Sequence, residues 1–428
     1  MQDSALSPDL IVRITRIDLP PPGPQLTMVG MTNPTTHVMK VTTRPSVQML
    51  EGKGSWLRDE DGRAYLDFVQ GWAVNCLGHG HPSILEALRA QANRLINCSP
   101  SYYNAPMARL ATLVAESSGL HDVYFCNSGA EANEGAIKLA RRWGQRHRGG
   151  AYEIVTTHGA FHGRTLATMS ASGKPVFESL FEPKVPGFVK VPLNDLDAMA
   201  AAITDRTVAV MLEPIQGEAG VFPADDAYLE QVRALTRERG VLLILDEIQT
   251  GIGRTGRLYA FEHTQQLTAM GRQGSTAARP DILTLGKGLG GGVPLAALVA
   301  SNDASCFEPG DQGGTFGGSA LMTAVGCAVM DTVNRPEFLA MVRETSDYCV
   351  RRLGELAASH GHGAVRGRGL LLAVALTRGD AAVVVEHAFE RGLIINAPRP
   401  DTLRFMPALN VTRDEVDEML KLLEPCLP

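Results

Sequence analysis

Between residues 120 and 300 the chain alternates short, wholly apolar runs with polar turns and longer amphipathic stretches. The runs 123–126, 154–157, 208–212, 241–245, 282–285 and 295–300 are apolar on both faces. That pattern predicts strands of a mostly parallel sheet, covered by helices on each side. Before this region, Trp56-Leu57-Arg58 and 64–68 flank Asp61-Gly62, which predicts a hairpin. Helices are expected after Pro82-Ser83 and after Ala105-Pro106. Beyond a long helix from about Ala320 the text changes to a strand at 370–376, a helix at 381–391 and a strand at 403–406. A final helix opens with the capping box Thr412-Arg413-Asp414-Glu415. Residues 1 to about 45 lack periodicity and read as a loosely ordered arm, and 264–279, rich in Gln, Gly, Ser and Thr, as a surface loop.

Composition excludes several classes. A net charge of −6 argues against a general nucleic-acid surface, and no apolar run approaches the ~18 residues of a membrane span. The seven cysteines are widely spaced, have no CxxC pair and read as reduced thiols. The pairs His79/His81 and His360/His362 have no third ligand nearby, so no metal site is expected. The N-terminus has no cationic segment followed by an apolar core, and a cytoplasmic enzyme is the expectation. Glycine is over-represented at 44 of 428, and thirteen fall in the segments 251–256, 286–292 and 310–318. These segments are expected at a ligand site or a subunit edge.

In open parallel sheets, ligands sit beyond the carboxyl ends of the strands, and four strands here end in unusual text. The 123–126 run leads into Asn127-Ser128-Gly129-Ala130-Glu131 and a helix. A helix N-terminus there offers free N–H groups to a phosphate, although a Ser-Gly pair also serves as an ordinary cap. The 208–212 run leads into Glu213 and Glu218. Asp246 follows five apolar residues, so its carboxylate is expected to be nearly buried and to need a cationic partner. Lys287 stands between Gly286 and Gly288, which leaves room for a flat ligand beside a desolvated amine; a surface lysine in a turn is the plain alternative.

Three decoys fail on context. The 241–247 segment resembles a Walker B strand, but no GxxxxGK[ST] occurs. Gly286-x-Gly288-x-x-Gly291 leads into Pro294 and a strand, not a helix. The basic run Arg141–Arg148 lies at a helix C-terminus, where cations are favoured.

A phosphate seat, a buried acid and an enclosed lysine are what pyridoxal phosphate requires. The chain resembles the class III aminotransferases of pyridoxal-phosphate fold type I, and among them the acetylornithine branch. The resemblance rests on Tyr65-Leu66-Asp67-Phe68, Ala73-Val74-Asn75, Gly78-His79-x-His81-Pro82, 125–133, Phe161-His162-Gly163-Arg164-Thr165, 213–218, 246–251, Thr315-Phe316-Gly317-Gly318 and 403–407. It covers nearly everything after the arm. It implies an α/β fold with a seven-stranded, mostly parallel sheet in a large domain (81–320). A smaller α+β domain would come from 46–80 and 321–428, after the 1–45 arm. It implies that Lys287 bonds the cofactor's aldehyde and that Asp246 pairs with its ring nitrogen. Ser128, Gly129 and Ala130 would hold the phosphate together with Thr315 of the partner subunit in a homodimer. Phe161 and Ile248 would cover the two ring faces, and Gln249 would lie near the ring hydroxyl. Arg164 would clamp a substrate carboxylate, while Arg404 and Glu218 would together distinguish glutamate from the other donor. The implied reaction moves the δ-amino group of N2-acetylornithine to 2-oxoglutarate, as in arginine biosynthesis. Other ω-amine donors, or a lyase or mutase on the same fold, stand as alternatives. Ser319-Ala320 replaces the usual Asn-Pro, and Gln312 a common His, near the expected subunit interface.

Overall fold

The computed structural model describes residues 37–264 and 278–428. The expected arm therefore lies largely outside the described residues, as does nearly all of the 264–279 loop. Residues 37–48, which have neither helix nor strand, lie outside the unit formed by Met49 to Pro428.

In the 49–428 unit, seven strands form one sheet in the order Asp122–Cys126, Ala296–Ala300, Ile282–Leu285, Leu242–Asp246, Thr207–Leu212, Glu153–Thr157, Phe188–Val191. All pairings are parallel except the two made by Ala296–Ala300. The central strands are buried along their full length because helices cover both faces. One such cover is the helix Gly129–His147, which lays Ala132, Ala136, Ile137 and Ala140 on the sheet.

The unit holds two further four-stranded sheets. Met49–Lys53, Trp56–Asp59 and Ala64–Asp67 form the expected hairpin plus one further strand, and Leu393–Ile394 joins them parallel to Ala64–Asp67. Val365–Arg368, Leu371–Ala375, Thr402–Phe405 and Asn396–Arg399 form the other. The Thr412 capping box is formed as expected.

Three expectations need correction. The long helix from Ala320 is two helices, Ala320–Val333 and Pro336–Ser359. Pro336 has no N–H and cannot continue a helix, but it suits the first turn of a new one. The strand Phe188–Val191 escapes an apolar-run criterion because Lys190 interrupts it; the ammonium is satisfied by Ser170 O at 3.0 Å. The glycines of 251–256 do not all serve a ligand site: Gly253 backs onto Val333 and Leu409, and Gly256 onto Arg343.

All seven cysteines are free. Among the described residues no helix is long and apolar enough to cross a membrane.

Candidate active site

The carboxyl edge of the large sheet gathers the residues singled out above around a cavity of about 250 Å³. Gly129, Ala130, Phe161, Arg164, Glu218, Asp246, Ile248, Gln249 and Lys287 all line it, with Glu213 and His162 beside them. Ser128, Thr315 and Arg404 do not line it: Ser128 caps the helix, Thr315 is exposed, and Arg404 lies fully buried against Glu218.

The helix Gly129–His147 starts at this edge. Ser128 Oγ accepts the Glu131 N–H, and the Glu131 carboxylate accepts the N–H groups of Asn127 and Ser128. The capping reading of Ser128 is therefore realised, while the N–H groups of Gly129 and Ala130 have no acceptor within the helix. A Cβ on Gly129 would stand 2.7 Å from Ile248 Cδ1, and one on Gly163 2.9 Å from Ala130 Cβ. The backbone is bare here because there is no room for more.

Asp246 ends the strand Leu242–Asp246 and is 4% exposed. Its Oδ2 accepts from Asn133 Nδ2 (2.7 Å) and from His162 Nδ1 (2.8 Å), and its Oδ1 from the Ile248 N–H (3.1 Å). Thr284, its register neighbour on the next strand, donates to Asn133 Oδ1. No lysine or arginine pairs with Asp246 among the described residues, so this buried acid still lacks the full cation expected from its surroundings.

Lys287 follows the strand Ile282–Leu285 and adopts φ 42°, a left-handed conformation that costs a non-glycine residue about 1 kcal/mol or more. Its ammonium has no hydrogen-bond partner among the described residues. Burial pushes its pKa down; the charge of Glu218 works the other way. Glu213 is held well above the usual carboxylate range, first by burial and then by Asp246. Its Oε2 accepts the Phe161 N–H at 2.9 Å.

The Gln249 side chain is buried with neither its oxygen nor its nitrogen paired. Arg164 is exposed, rests 5.7 Å above the Phe177 ring and has no acidic partner among the described residues. Arg404 Nη1 reaches Glu218 Oε1 at 2.7 Å and Gly217 O at 2.8 Å, its Nε reaches Asn396, and its Nη2 is unpaired. Glu218 Oε2 lies 3.4 Å from Lys174 Nζ. Burial favours a protonated Glu218, but Arg404, then Lys287 and Lys174, outweigh it and hold the pKa at about 2.

Sequence reasoning gave no role to Asn133, His162, Thr284, Glu213 or Lys174. His162 and Asn133 stand inside motifs already singled out, but their service to Asp246 depends on the folding together of segments far apart in the chain. The histidine of the first HxH pair has another duty: His79 Nε2 lies 2.9 Å from Asp67 Oδ2. Among the described residues no group of three His, Cys, Asp or Glu side chains is placed to hold a metal.

The donor set fits pyridoxal phosphate. An unpaired amine, a buried acid without a cation, an unpaired amide and free helix N–H groups converge on one cavity with bare backbone along one wall.

Comparison with known proteins agrees. The family model described as aminotransferase class-III matches residues 38–427. An acetylornithine aminotransferase of Ralstonia nicotianae is 53% identical over 401 residues, covering 92% of this chain and 98% of that protein. Acetylornithine aminotransferase 2 of Bordetella bronchiseptica is 50% identical over 390 residues, covering 90% and 96%. Among solved structures, ornithine aminotransferase from Toxoplasma gondii superposes with a TM-score of 0.85 at 32% identity, covering 91% of this chain and 92% of that one. A second structure of that protein is described with PLP at partial occupancy in its active site. The N-acetylornithine aminotransferase of Stenotrophomonas maltophilia superposes with a TM-score of 0.76 at 34% identity, covering 90% and 96%. The seven-stranded sheet is that of pyridoxal-phosphate fold type I. This chain belongs to the class-III aminotransferases and is an enzyme that depends on pyridoxal phosphate.

Proposed function

We propose that the enzyme transfers the δ-amino group of N2-acetylornithine to 2-oxoglutarate, giving N-acetylglutamate 5-semialdehyde and glutamate, a step of arginine biosynthesis. The observation that carries this reading is the ion pair of the buried Arg404 with Glu218, which lines the cavity in front of it. The two amino donors differ at one point: glutamate has a carboxylate on its reacting carbon, whereas the δ-carbon of acetylornithine has none. Arg404 serves as the seat for that carboxylate. Glu218 masks the seat when the other donor is bound.

Pyridoxal phosphate, when bound, supplies the aldehyde that takes up the amine and the ring that draws electrons from the reacting carbon. Lys287 would hold that aldehyde, and its amine, whose pKa burial lowers, would be suited to moving the proton at the reacting carbon. Asp246, held by Asn133 and His162, keeps the ring nitrogen protonated. Gly129 and Ala130 N–H groups, with Thr315 of the partner subunit, would bind the phosphate, and Ser128, whose hydroxyl caps the helix through Glu131, would hold those N–H groups in place. Phe161 and Ile248 would cover the ring, Gln249 would lie near its hydroxyl, and Arg164 would clamp the far carboxylate of either donor.

The same reading makes the enzyme a cytoplasmic homodimer with a shared active site. Exposed apolar side chains, Ile96 and Phe316 next in the chain to Asn97 and Thr315, which share a hydrogen bond, and Tyr102 and Tyr103 next to Asn104, support the homodimer. It also divides the chain into a large domain (81–320) and a smaller one from 46–80 and 321–428, with pairing of Leu393–Ile394 to Ala64–Asp67 in support.

The test is a spectral titration of the holoenzyme with acetylornithine, succinylornithine, ornithine and 4-aminobutyrate. Acetylornithine should convert the bound cofactor at least about ten-fold more efficiently than 4-aminobutyrate or ornithine. A better rate with another donor overturns the assignment, and turnover independent of 2-oxoglutarate indicates a lyase or mutase.

A further inference from the structure

Glu218 stands between two cations. Its Oε1 is paired with Arg404 Nη1 at 2.7 Å, and its Oε2 faces Lys174 Nζ at 3.4 Å. The two cations differ in freedom. Arg404 is fully buried and pinned by Gly217 O and Asn396 Oδ1, whereas Lys174 and Glu218 each keep 22% of their side-chain surface exposed. Lys174 precedes the short turn Pro175–Phe177, and its ammonium lies 5.1 Å above the Phe161 ring. Glu218 sits in the turn between the strands Ile215–Gln216 and Phe222–Pro223, flanked by Gly217 and, two residues on, by Gly220 at φ 119°.

A carboxylate that must leave Arg404 in this half-buried site cannot do so without a second partner, because an unpaired charge there is costly. A lysine suits the task, being a point charge on a flexible stem rather than a rigid fork. Building on the reading that Arg404 takes the α-carboxylate of glutamate, we propose that Lys174 receives the Glu218 carboxylate when it gives up Arg404, and so sets the preference between the two amino donors. Lys174 is then a positioning residue that acts through Glu218. Without it, Glu218 competes for Arg404 undivided, and glutamate suffers more than the acylated donor.

The test measures single-turnover half-reactions of the full-length holoenzyme with glutamate and with N2-acetylornithine, for Lys174→Gln, Lys174→Arg, Glu218→Gln and the double variant Lys174→Gln/Glu218→Gln. Lys174→Gln should lower the ratio of the glutamate to the acetylornithine efficiency about ten-fold, the effect of losing one partly buried ionic contact. Lys174→Arg should restore most of the ratio. In the Glu218→Gln background the Lys174 substitution should leave the ratio within about two-fold, because no carboxylate remains to be received. Equal losses in both half-reactions would mean that Lys174 only supports the Phe161 ring, or attracts carboxylates generally, and would overturn the inference. An unchanged ratio, or a shift that persists in the Glu218→Gln background, would do the same. If Glu218→Gln shifts the ratio towards glutamate while Lys174→Gln does not move it, this inference fails and the Arg404 reading stands. If Glu218→Gln leaves the ratio unchanged, both fail.

Discussion

Asn133 Nδ2 lies 2.7 Å from Asp246 Oδ2, the same carboxylate oxygen that His162 reaches from the opposite segment. The asparagine comes from the helix Gly129–His147 and the aspartate from the middle of the sheet, so this hydrogen bond ties helix to sheet edge beside the cavity. Removing it with Asn133→Ala leaves Asp246 less well held. A hydrogen bond to a charged group contributes about 1.5–3 kcal/mol, so the single-turnover rate should fall roughly ten- to hundred-fold. Asp246→Asn should cost on the order of 10²–10³ in the same measurement. Rates near that of the parent enzyme would sink the role given to this carboxylate.

Lys287→Ala should reduce turnover with both donors by at least about 100-fold. The protein should still take up the cofactor, measured by absorbance after gel filtration, because the phosphate seat and Asp246 are untouched. Retained turnover would overturn the central assignment.

Glu213 separates a packing role from a charge role. Its pKa is pushed up by burial and by Asp246, so a neutral side chain of the same shape should be tolerated. Glu213→Gln still offers an oxygen to the Phe161 N–H and should bind cofactor within about three-fold of the parent. Glu213→Ala orphans that N–H at about 1–3 kcal/mol, which predicts cofactor binding about ten- to hundred-fold weaker. The reverse order in an equilibrium titration would show that the charge is needed.

Gly144 lies inside the helix Gly129–His147, where alanine is ordinarily the better residue by about 1 kcal/mol. Here a Cβ would stand 2.0 Å from Ala151 O and 2.8 Å from Val208 Cγ2. Backbone cannot yield cheaply, so overpacking wins, and Gly144→Ala should destabilise the fold by about 1–3 kcal/mol in urea unfolding. A stabilised variant would contradict this packing.

His263 makes stability depend on pH. Burial, and then the charge of Arg368, lower its pKa from 6.5 to about 4. Between those values the unfolded chain takes up a proton that the folded one refuses, so stability from this group is present above pH 6.5 and is lost as pH falls towards 4. Glu247 acts oppositely: burial raises its pKa from 4.5 to about 7, against the N–H groups of Ala260 and Phe261, so its contribution falls as pH rises across that window. His263→Gln should therefore remove the acid-side loss, a change on the order of 2 kcal/mol in unfolding free energy between pH 6.5 and 4. An unchanged slope would show that His263 titrates normally.

Asp246 and Lys287 are legible in the sequence because both stand at the ends of short apolar runs, and a run apolar on both faces implies a strand buried on both faces. The decoys were legible too: the Walker B-like strand has no phosphate-binding loop to go with it, the GxGxxG is followed by a strand in place of a helix, and the basic run stands at a helix C-terminus. The break before Pro336 is readable from the proline itself, which lacks an N–H and cannot continue a helix. The strand Phe188–Val191 was not readable, because Lys190 satisfies its charge on Ser170 O, a partner that local pattern does not reveal.

What the sequence by itself determined is an inventory along one sheet edge: the helix start at Ser128, the buried acid Asp246 and the enclosed Lys287. These depend on periodicity and turn chemistry, both local. Arg164, Glu218 and Arg404 were picked out only by the resemblance of their motifs to a family. Only the tertiary structure decided who serves whom. Asn133 and His162 reach Asp246 across 113 and 84 residues, Arg404 reaches Glu218 across 186, and Lys174 reaches Glu218 across 44. Those distances along the chain are closed by the packing of helices over a twisted sheet, and no short-range signal encodes which side chains then meet.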